Sequence, residues 1–339
     1  MTPAGSSTVF SDELARAADA ASYAAGGYED RDYRIAGHRI RVRLAGPPTL
    51  QRLLSALDHL RVAQAGEPEL VVAVCEIDGE MPHGPWQNAV LAGGAVRGDL
   101  PHGGFFLAHD GALTVFDRAR AAGYYWQERG LWNRRHPLYP LSPILGDWLG
   151  ARGVYLVPAA AVGNERGSVL LAGAPGSGKS HAMHACVRGG LRYIGDDACL
   201  LDAGETTLLR SVYRTTHASR RTLDLMQHLA PLSAGADWTS AGGYETIFLD
   251  DHAPAALMTE APLSAIGIVE QFSGPRSRVR AATSGDALAA LAPWALRNVP
   301  GAGQPMLEQL ARVVGATPAV HLECGTDPAG IATAVEGLL

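Results

Sequence analysis

Residues 171–182, "LAGAPGSGKSHA", decide how this chain is expected to fold. Gly173, Gly178, Lys179 and Ser180 fit the pattern G-x-x-x-x-G-K-[ST], known as the Walker A or P-loop pattern. An apolar run precedes the pattern and helical spacing follows it, so the order strand, glycine-rich loop, helix is predicted. Lys179 is also the single lysine among the 28 lysine and arginine positions of the chain.

The residue types in this loop match what a chain of phosphates needs. Glycines let backbone N–H groups turn inward around phosphate oxygens, and the N-terminus of the following helix adds positive charge. Lys179 is expected to reach the β- and γ-phosphates, and the Ser180 hydroxyl to bind Mg²⁺. Arginine would not replace this lysine, because a planar guanidinium does not fit where a compact ammonium lies inside a closed loop. The predicted ATP-binding residues are Gly173, Ala174, Pro175, Gly176, Ser177, Gly178, Lys179, Ser180 and His181.

Two acidic residues follow the loop by one predicted helix and one predicted strand. The strand "LRYIG" (191–195) ends immediately before Asp196 and Asp197, and α/β sheets carry their ligands at the carboxyl ends of strands. One carboxylate could hold Mg²⁺, directly or through water, while the other takes a proton from an attacking hydroxyl. A hydrophilic turn without function is the alternative. The position after a phosphate-binding loop favours the functional interpretation.

Several classes of P-loop protein are disfavoured by missing motifs. The guanine-reading motif N-K-x-D needs a second lysine, which the chain lacks. Transport-type ATPases carry a serine- and glycine-rich signature, which "LSAGADW" (232–238) matches poorly, and no long apolar strand ends in Asp-Glu. A compact phosphotransferase remains.

Composition restricts partners and location. With 47% apolar and 18% charged residues, the chain is expected to be a soluble globular protein of two domains. A net charge of −6 and scattered arginines argue against a nucleic-acid partner. The N-terminal residues lack the pattern of a signal peptide or a membrane span, so a cytoplasmic protein with no membrane partner is expected. No C-x-x-C occurs, and the cysteines are expected to be reduced core residues: Cys75, Cys186, Cys199 and Cys324.

The chain is expected to divide into four segments. Residues 1–32 are small and polar, with a short helix at "SDELARAADAA" (11–21). Residues 33–136 are predicted to form a mainly β (α+β) domain, because strand patterns dominate them. Residues 137–152 are a proline-bounded connector leading into a helix, and residues 153–339 form an α/β domain.

Particular elements are predicted within these segments. In the β-rich domain they are strands at "YRIAGHRIRVRLA" (33–45) and "ELVVAVCEI" (69–77), a helix at "TLQRLLSALDHL" (49–60), and a hairpin turn at Asp110-Gly111. In the α/β domain the further strands are "VYLVPAAAV" (154–162), "SVLLA" (168–172), "TIFLD" (246–250), "AIGIVEQF" (265–272) and "AVHLEC" (319–324). Its helices are "KSHAMHACVRGG" (179–190), "GDALAALAPWAL" (285–296), "PMLEQLARVV" (305–314) and "DPAGIATAVEGLL" (327–339).

Residues 168–201, "SVLLAGAPGSGKSHAMHACVRGGLRYIGDDACLL", resemble the core of the HPr kinase/phosphorylase family. In that family the P-loop, the following helix, the next strand and an Asp-Asp pair have this order and spacing. The resemblance implies an α/β fold with a P-loop core related to phosphoenolpyruvate carboxykinase. Weaker similarity to HPr-kinase-like proteins of peptide-modification systems covers residues 33–339, including "PLSPILGDWLGARGVYLVPAAAVG" (140–163) and "VHLECGTDPAGIATAVEGLL" (320–339).

The resemblance also implies roles for individual residues. Lys179 would clamp phosphate, Ser180 would bind Mg²⁺, Asp197 would act as general base and Asp196 would lie near the metal. Members of this group phosphorylate serine hydroxyls, including one on a lasso-type precursor peptide. The function implied is ATP- and Mg²⁺-dependent phosphorylation of a serine in a peptide or protein. The β-rich domain would help to bind the acceptor.

Two departures from the family limit what is implied. Many relatives have a histidine in the strand before the P-loop, where this chain has Pro158, and the downstream glutamate ligand and long signature segment are missing. Reverse phosphorolysis and HPr itself are therefore not expected. A small-molecule kinase acting on free serine or a sugar, and a nucleotide-binding module without chemistry, stay open. So do the acceptor, a homo-oligomeric state and the use of nucleotides other than ATP.

Other side chains are candidates for the site. Arg214 could neutralise charge on the γ-phosphate in the transition state, although the cluster it forms with Arg220 and Arg221 could equally be a solvated turn. Histidines are more often ordinary hydrogen-bonding residues than functional ones, and this holds for His181, His184 and His217. The aromatic residues of "AAGYYWQERGLW" (121–132) are expected to pack in a core rather than to line a peptide groove.

Overall fold

The computed structural model describes residues 5–88, 96–100, 103–109, 111–131, 139–234, 243–298 and 303–339. The chain is a mixed α/β protein with several sheets, which agrees with the predicted fold class at that level. It contains two compact units, Met1–Ile144 and Leu145–Leu339. The boundary between these units falls within the segment 137–152, which the sequence marks as a connector.

The first unit is built on one eight-stranded sheet. A helix, α1 (Gly5–Ala24), precedes the sheet, and 3₁₀ helices occur at Pro48–Leu60 and Pro85–Asn88. The strands are β1 (Glu29–Ile35), β2 (His38–Ala45), β3 (Arg61–Val62), β4 (Leu70–Ile77), β5 (Val96–Asp99), β6 (Gly104–His109), β7 (Ala112–Asp117) and β8 (Ala122–Glu128). Their order is β3-β1-β2-β4-β8-β7-β6-β5. The pairs β2/β4 and β4/β8 are parallel, and the other pairs are antiparallel.

The segment predicted as one strand at 33–45 is two antiparallel strands, β1 and β2, joined by a turn at Ala36 and Gly37, both of which have positive φ. The predicted hairpin is present, since β6 and β7 pair with His109 opposite Ala112, while Asp110 itself lies outside the described residues. The segment predicted as a helix at 49–60 is a 3₁₀ helix. Its buried leucines recur at intervals of three and four, a spacing that suits either helix type: Leu50, Leu53, Leu54 and Leu57. The rings of Tyr124 and Trp126 in β8 stack in the core, as expected.

The second unit contains the predicted phosphate loop. Its helices are α2 (Ser142–Gly150), which begins before the unit boundary, α3 (Lys179–Arg188), α4 (Arg220–Leu225), α5 (Leu249–His252), α6 (Ser284–Asn298), α7 (Gln304–Ala316) and α8 (Pro328–Glu336). Its strands are β9 (Val154–Val157), β10 (Ala160–Asn164), β11 (Gly167–Ala172), β12 (Arg192–Gly195), β13 (Cys199–Ala203), β14 (Thr207–Arg210), β15 (Thr215–Ala218), β16 (Glu245–Phe248), β17 (Glu260–Gln271), β18 (Arg278–Ala281) and β19 (Ala319–Cys324). Short 3₁₀ helices occur at Gln227–Leu232 and Pro254–Ala256.

A nine-stranded sheet forms the centre of this unit, in the order β12-β10-β11-β17-β14-β13-β9 with β19 beside β17 and β18 beside β19. β11 and β19 run parallel to β17. β10 is antiparallel to both β11 and β12, so these two strands point in the same direction, and Leu170 and Gly195 both pair with Ala161. The carboxyl ends of β11 and β12 therefore lie at one edge of the sheet. β15 and β16 form a separate two-stranded sheet.

One predicted strand in this unit was wrong. The segment "VYLVPAAAV" is two strands, β9 and β10, separated by Pro158 and Ala159, and β9 pairs with β13 while β10 pairs with β11 and β12. Proline has no N–H to donate to a ladder, so the strand ends there. The predicted strand "TIFLD" also ends early, because α5 begins at Leu249. The remaining predicted strands and helices are present with bounds shifted by a few residues, whereas β13, β14, β15, β18, α4 and α5 were not predicted.

The cysteines behave as the sequence indicates. All four are free and buried. Burial raises the pKa of Cys75 and of Cys324 to about 12, so these thiols are protonated at neutral pH. In the part of the chain that the structure describes, no helix combines the length and the apolar character required to cross a membrane.

Candidate functional site

A glycine-rich loop, residues 173–178, connects β11 to α3. β11 is buried along its whole length. One face of α3 lies in the same core, through Ala182, Met183, Ala185 and Cys186. Because packing fixes both the strand and the helix, the loop and the N-terminus of α3 are held in position. The predicted order of strand, loop and helix is present at these residues.

All three glycines of the loop, Gly173, Gly176 and Gly178, have backbone conformations that side chains disfavour. Gly173 has a φ of 147°, and a Cβ atom there would lie 2.6 Å from Oγ of Ser177 and 3.3 Å from the carbonyl oxygen of Val269. Gly178, the residue before α3, has a left-handed φ of 104°. Only glycine adopts such conformations without strain. The glycines of the motif therefore have a conformational cause in this chain.

Lys179 is the first residue of α3, and its side chain is buried, with 7% of the residue exposed. Its Nζ atom donates hydrogen bonds to the carbonyl oxygens of Gly173 and Ala174, at 3.1 and 3.3 Å. The same atom lies 3.9 Å from Oδ1 of Asp197. A compact ammonium makes these contacts within the loop, whereas the wider guanidinium of arginine has a different donor geometry.

Asp196 follows β12 directly and is completely buried. Its Oδ1 atom accepts a hydrogen bond from Ser180 Oγ at 2.8 Å. Its Oδ2 atom accepts one from Thr216 Oγ1 at 2.6 Å and one from the backbone N–H of His217 at 3.3 Å. Burial raises the pKa of the Asp196 carboxyl above its ordinary value, although these hydrogen bonds and the charge of Lys179 act in the opposite direction. The carboxylate is thus held by donors on both oxygens.

Asp197 has the opposite environment. Its side chain is 46% exposed, and its backbone is left-handed, with a φ of 54°. Aspartate and asparagine adopt this conformation more readily than most residues other than glycine. Of two consecutive carboxylates, one is buried and fixed, while the other is open to solvent beside the ammonium of Lys179. This difference in environment allows the two carboxylates to have different chemical tasks.

The pair formed by Ser180 and Asp196 is a candidate for holding Mg²⁺. Mg²⁺ binds oxygen ligands octahedrally at about 2.0–2.1 Å, which separates neighbouring ligands by about 2.9 Å. The distance of 2.8 Å between Ser180 Oγ and Asp196 Oδ1 fits two such neighbouring positions. Among the described residues, no group of three or more His, Cys, Asp or Glu could hold a metal. Phosphate oxygens and water would have to complete the coordination, as is usual for this ion.

Two of the histidines named from the sequence are connected to Asp196, His184 through a threonine and His217 through its backbone N–H. His184 in α3 is buried, and its Nε2 atom lies 3.2 Å from Thr216 Oγ1. His217 is also buried, and burial lowers its pKa to about 4, while the charge of Asp197 acts in the opposite direction. The imidazole of His217 is therefore neutral at neutral pH. Sequence analysis did not identify Thr216, since nothing in its local pattern distinguishes it from other threonines.

Arg214 directly precedes β15 and forms ion pairs with two carboxylates. Its Nη1 atom lies 2.8 Å from Oδ1 of Asp250 and 2.8 Å from Oδ1 of Asp251, and its guanidinium lies over the ring of Phe248. The charge of Arg214 is thus compensated within the unit.

Three candidates from the sequence remain: Arg220, Arg221 and His181. Arg220 is 82% exposed and pairs with Asp224 across one turn of α4, which fits the solvated alternative. The side chain of Arg221 lies outside the described residues. His181 lies in the first turn of α3 and is partly exposed.

Comparisons with known proteins give little information beyond this geometry. No protein-family model and no curated protein matches the chain. A solved structure described as the HPr(Ser) kinase/phosphatase from Coxiella burnetii is similar to it, with 11% identity over 54% of this chain and 92% of that chain and a TM-score of 0.29. A similarity at this level carries no argument. The function must therefore be argued from the residues of the site.

Proposed function

We propose that this protein is a cytoplasmic ATP- and Mg²⁺-dependent kinase that transfers the γ-phosphate to a hydroxyl group. The observation that carries the proposal is the distance of 3.9 Å between Nζ of Lys179 and Oδ1 of Asp197. At this distance the exposed carboxylate of Asp197 lies beside the ammonium of Lys179. That lysine belongs to a glycine-rich loop whose sequence fits the Walker A pattern. A general base must lie within reach of the attacking hydroxyl, and that hydroxyl must lie beside the γ-phosphate.

Each residue of the site has a task in this reaction. The loop amides and Lys179 bind the phosphates and neutralise the charge of the transferred group. Ser180 and Asp196 would hold Mg²⁺, which, when bound, screens the negative charge of the phosphate oxygens. Asp197 accepts the proton of the acceptor hydroxyl, while the oxygen of that hydroxyl forms a bond to the γ-phosphorus. The bond between the γ-phosphorus and the β–γ bridging oxygen breaks, and ADP leaves.

We propose a serine of a peptide or protein as the acceptor, including a ribosomally made precursor peptide. The resemblance of residues 33–339 to HPr-kinase-like proteins of peptide-modification systems supports this choice of substrate. Arg214 could contribute to charge neutralisation only if it exchanged its contacts with Asp250 and Asp251 for contacts with phosphate.

The test is transfer of radiolabelled γ-phosphate from ATP to serine-containing peptides encoded beside this gene, with mass spectrometry to locate the phosphate. Label on a serine of such a peptide supports the proposal. Label on free serine or a sugar in the absence of any peptide would instead identify a small-molecule kinase. ATP binding without transfer to any acceptor would identify a nucleotide-binding module that has lost its chemistry.

A further inference from the structure

The second oxygen of Asp196 is held by side chains that do not belong to the proposed nucleotide site. Oδ1 faces Ser180, whereas Oδ2 accepts a hydrogen bond of 2.6 Å from Thr216 Oγ1. Thr216 is completely buried. Its hydroxyl lies 3.2 Å from Nε2 of His184, which is itself only 2% exposed. A buried chain of hydrogen bonds therefore runs from His184 through Thr216 to Asp196.

The direction of each hydrogen bond follows from the number of protons available. A threonine hydroxyl has one proton, and Thr216 donates it to the carboxylate of Asp196. The contact between Thr216 and His184 then requires the imidazole to donate from Nε2. His184 lies four residues after Ser180 in α3, so both side chains are on one face of that helix. The helix thus contacts Asp196 directly through Ser180 and indirectly through His184 and Thr216.

The strand that carries Thr216 is fixed independently of Asp196. The hydroxyl of Tyr193 in β12 shares its one proton between two backbone carbonyl oxygens, that of Thr215 at 2.7 Å and that of Tyr213 at 3.2 Å. β15 also pairs with β16 along its length. Thr216 is therefore a rigid donor, which can determine the rotation of the carboxylate that it contacts.

We propose that Thr216 and His184 are positioning residues that fix the Asp196 carboxylate with Oδ1 toward Ser180. The inference rests on the proposed function, because it gives the Ser180–Asp196 pair its task of holding Mg²⁺ beside the nucleotide. Hydrogen-bond partners that orient metal ligands matter nearly as much as the ligands, and their loss weakens metal binding by about 10- to 100-fold. Without the hydroxyl of Thr216, Oδ2 would keep only the longer hydrogen bond of 3.3 Å from the backbone N–H of His217. The carboxylate would then rotate, and the preformed pair would be lost.

Thr215 provides a matched control. It precedes Thr216 in β15 and is equally buried, with 2% exposed. Its hydroxyl has no hydrogen-bond partner among the residues that the structure describes. Thr215→Val and Thr216→Val therefore make the same chemical change in the same strand, but only Thr216→Val removes a contact to Asp196.

The experiment measures binding of ADP by calorimetry with and without Mg²⁺, for the wild type and for Thr216→Val, Thr216→Ser and Thr215→Val. We expect Thr216→Val to weaken binding of ADP in the presence of Mg²⁺ about 10-fold or more and to leave binding of ADP alone unchanged. Thr216→Ser, which keeps the hydroxyl, should restore wild-type binding, and Thr215→Val should bind like the wild type. His184→Gln should retain more of the Mg²⁺ effect than His184→Leu, since glutamine keeps an N–H donor.

Three results would overturn the inference. The first is that Thr216→Val and Thr215→Val give equal affinities in Mg²⁺. The second is that Thr216→Val weakens ADP binding equally with and without Mg²⁺, which would indicate a merely structural role. The third is that Mg²⁺ does not strengthen ADP binding to the wild type. Because none of these measurements depends on phosphate transfer, a wild type that binds Mg²⁺ and ADP but phosphorylates no acceptor would refute the proposed function and leave this inference standing.

Discussion

The Nζ atom of Lys179 lies 3.9 Å from Oδ1 of Asp197, although the two residues belong to different elements, one at the start of α3 and the other after β12. β11 and β12 point the same way across the intervening β10, so the loops at their carboxyl ends meet. Asp196 is completely buried and bound by donors, while Asp197 is exposed. The buried carboxylate has a fixed geometry, which suits a metal ligand, and the exposed one can reach a substrate.

Replacing Lys179 should abolish transfer while the protein stays folded. In Lys179→Arg the charge is kept, but the guanidinium cannot make the two contacts of Nζ with the carbonyl oxygens of Gly173 and Ala174 or reach phosphate from the same place. We expect both Lys179→Arg and Lys179→Met to lower kcat by about 100-fold or more, the effect of losing one group that stabilises charge in a transition state. Transfer assays and thermal denaturation measure the two effects.

Arg188→Met is the control for loss of a positive charge from the same helix, because Arg188 lies in the last turn of α3 and is exposed. It should transfer phosphate at the wild-type rate. Full activity of Lys179→Arg would show that the lysine is not kept for its geometry.

Replacing the two aspartates should have different effects. Asp197→Asn keeps a residue that tolerates the left-handed backbone, so stability should be unchanged, and ATP should still bind. Transfer should fall by roughly 100- to 10,000-fold, because general-base catalysis is lost. Asp196→Asn should instead destabilise the fold, since its amide N–H₂ group would face a donor in place of an acceptor. That donor would be Ser180 Oγ on one side, or Thr216 Oγ1 and the backbone N–H of His217 on the other.

Three measurements separate these outcomes: calorimetry for the affinity for ATP, assays of the rate of phosphate transfer, and thermal denaturation for stability. If Asp197→Asn keeps its rate, another residue is the base. If Asp196→Asn is as stable as the wild type, the hydrogen bonds to its carboxylate contribute less than the geometry indicates.

Part of the site could be predicted because its residues are neighbours in sequence. The glycines, Lys179 and Ser180 belong to one short pattern whose spacing reflects one loop. Asp196 and Asp197 follow the next predicted strand, so their position at the same edge of the sheet could also be predicted. Each of these predictions needed only the order of elements along the chain.

The surroundings of Asp196 could not be predicted in this way. Thr216 belongs to β15, a four-residue strand of a separate two-stranded sheet, which is too short to give a clear alternating pattern. Its contact with Asp196 depends on tertiary packing that no local pattern describes. The division between β9 and β10 is different, because Pro158 within the apolar run is a local signal that ends a strand.

The buried cysteines should react slowly with alkylating reagents. Burial limits access, and it raises the pKa of Cys75 and Cys324 to about 12, so the reactive thiolate is scarce at pH 8. Labelling by iodoacetamide should be slow and should still increase with pH above 9, where an exposed thiol levels off. A cysteine introduced at the exposed Glu205 is the control and should react rapidly. Rapid labelling of the native cysteines would mean that the core opens readily.

Comparison of Gly173 with Gly176 tests whether close contacts, in addition to backbone strain, restrict the shape of the loop. Gly173→Ala and Gly176→Ala both put a side chain on a residue with positive φ, 147° and 80° respectively, so both are strained. Only at Gly173 would the new Cβ atom also meet neighbours, at 2.6 Å from Ser177 Oγ and 3.3 Å from Val269 O, whereas nothing lies within 4 Å of the Cβ at Gly176. Gly173→Ala should therefore deform the loop and weaken ADP binding in Mg²⁺ by about 10-fold more than Gly176→Ala, if the contact adds roughly 1–2 kcal/mol. Calorimetry on both variants measures the difference, and equal affinities would mean that the loop can shift to accept the extra methyl group.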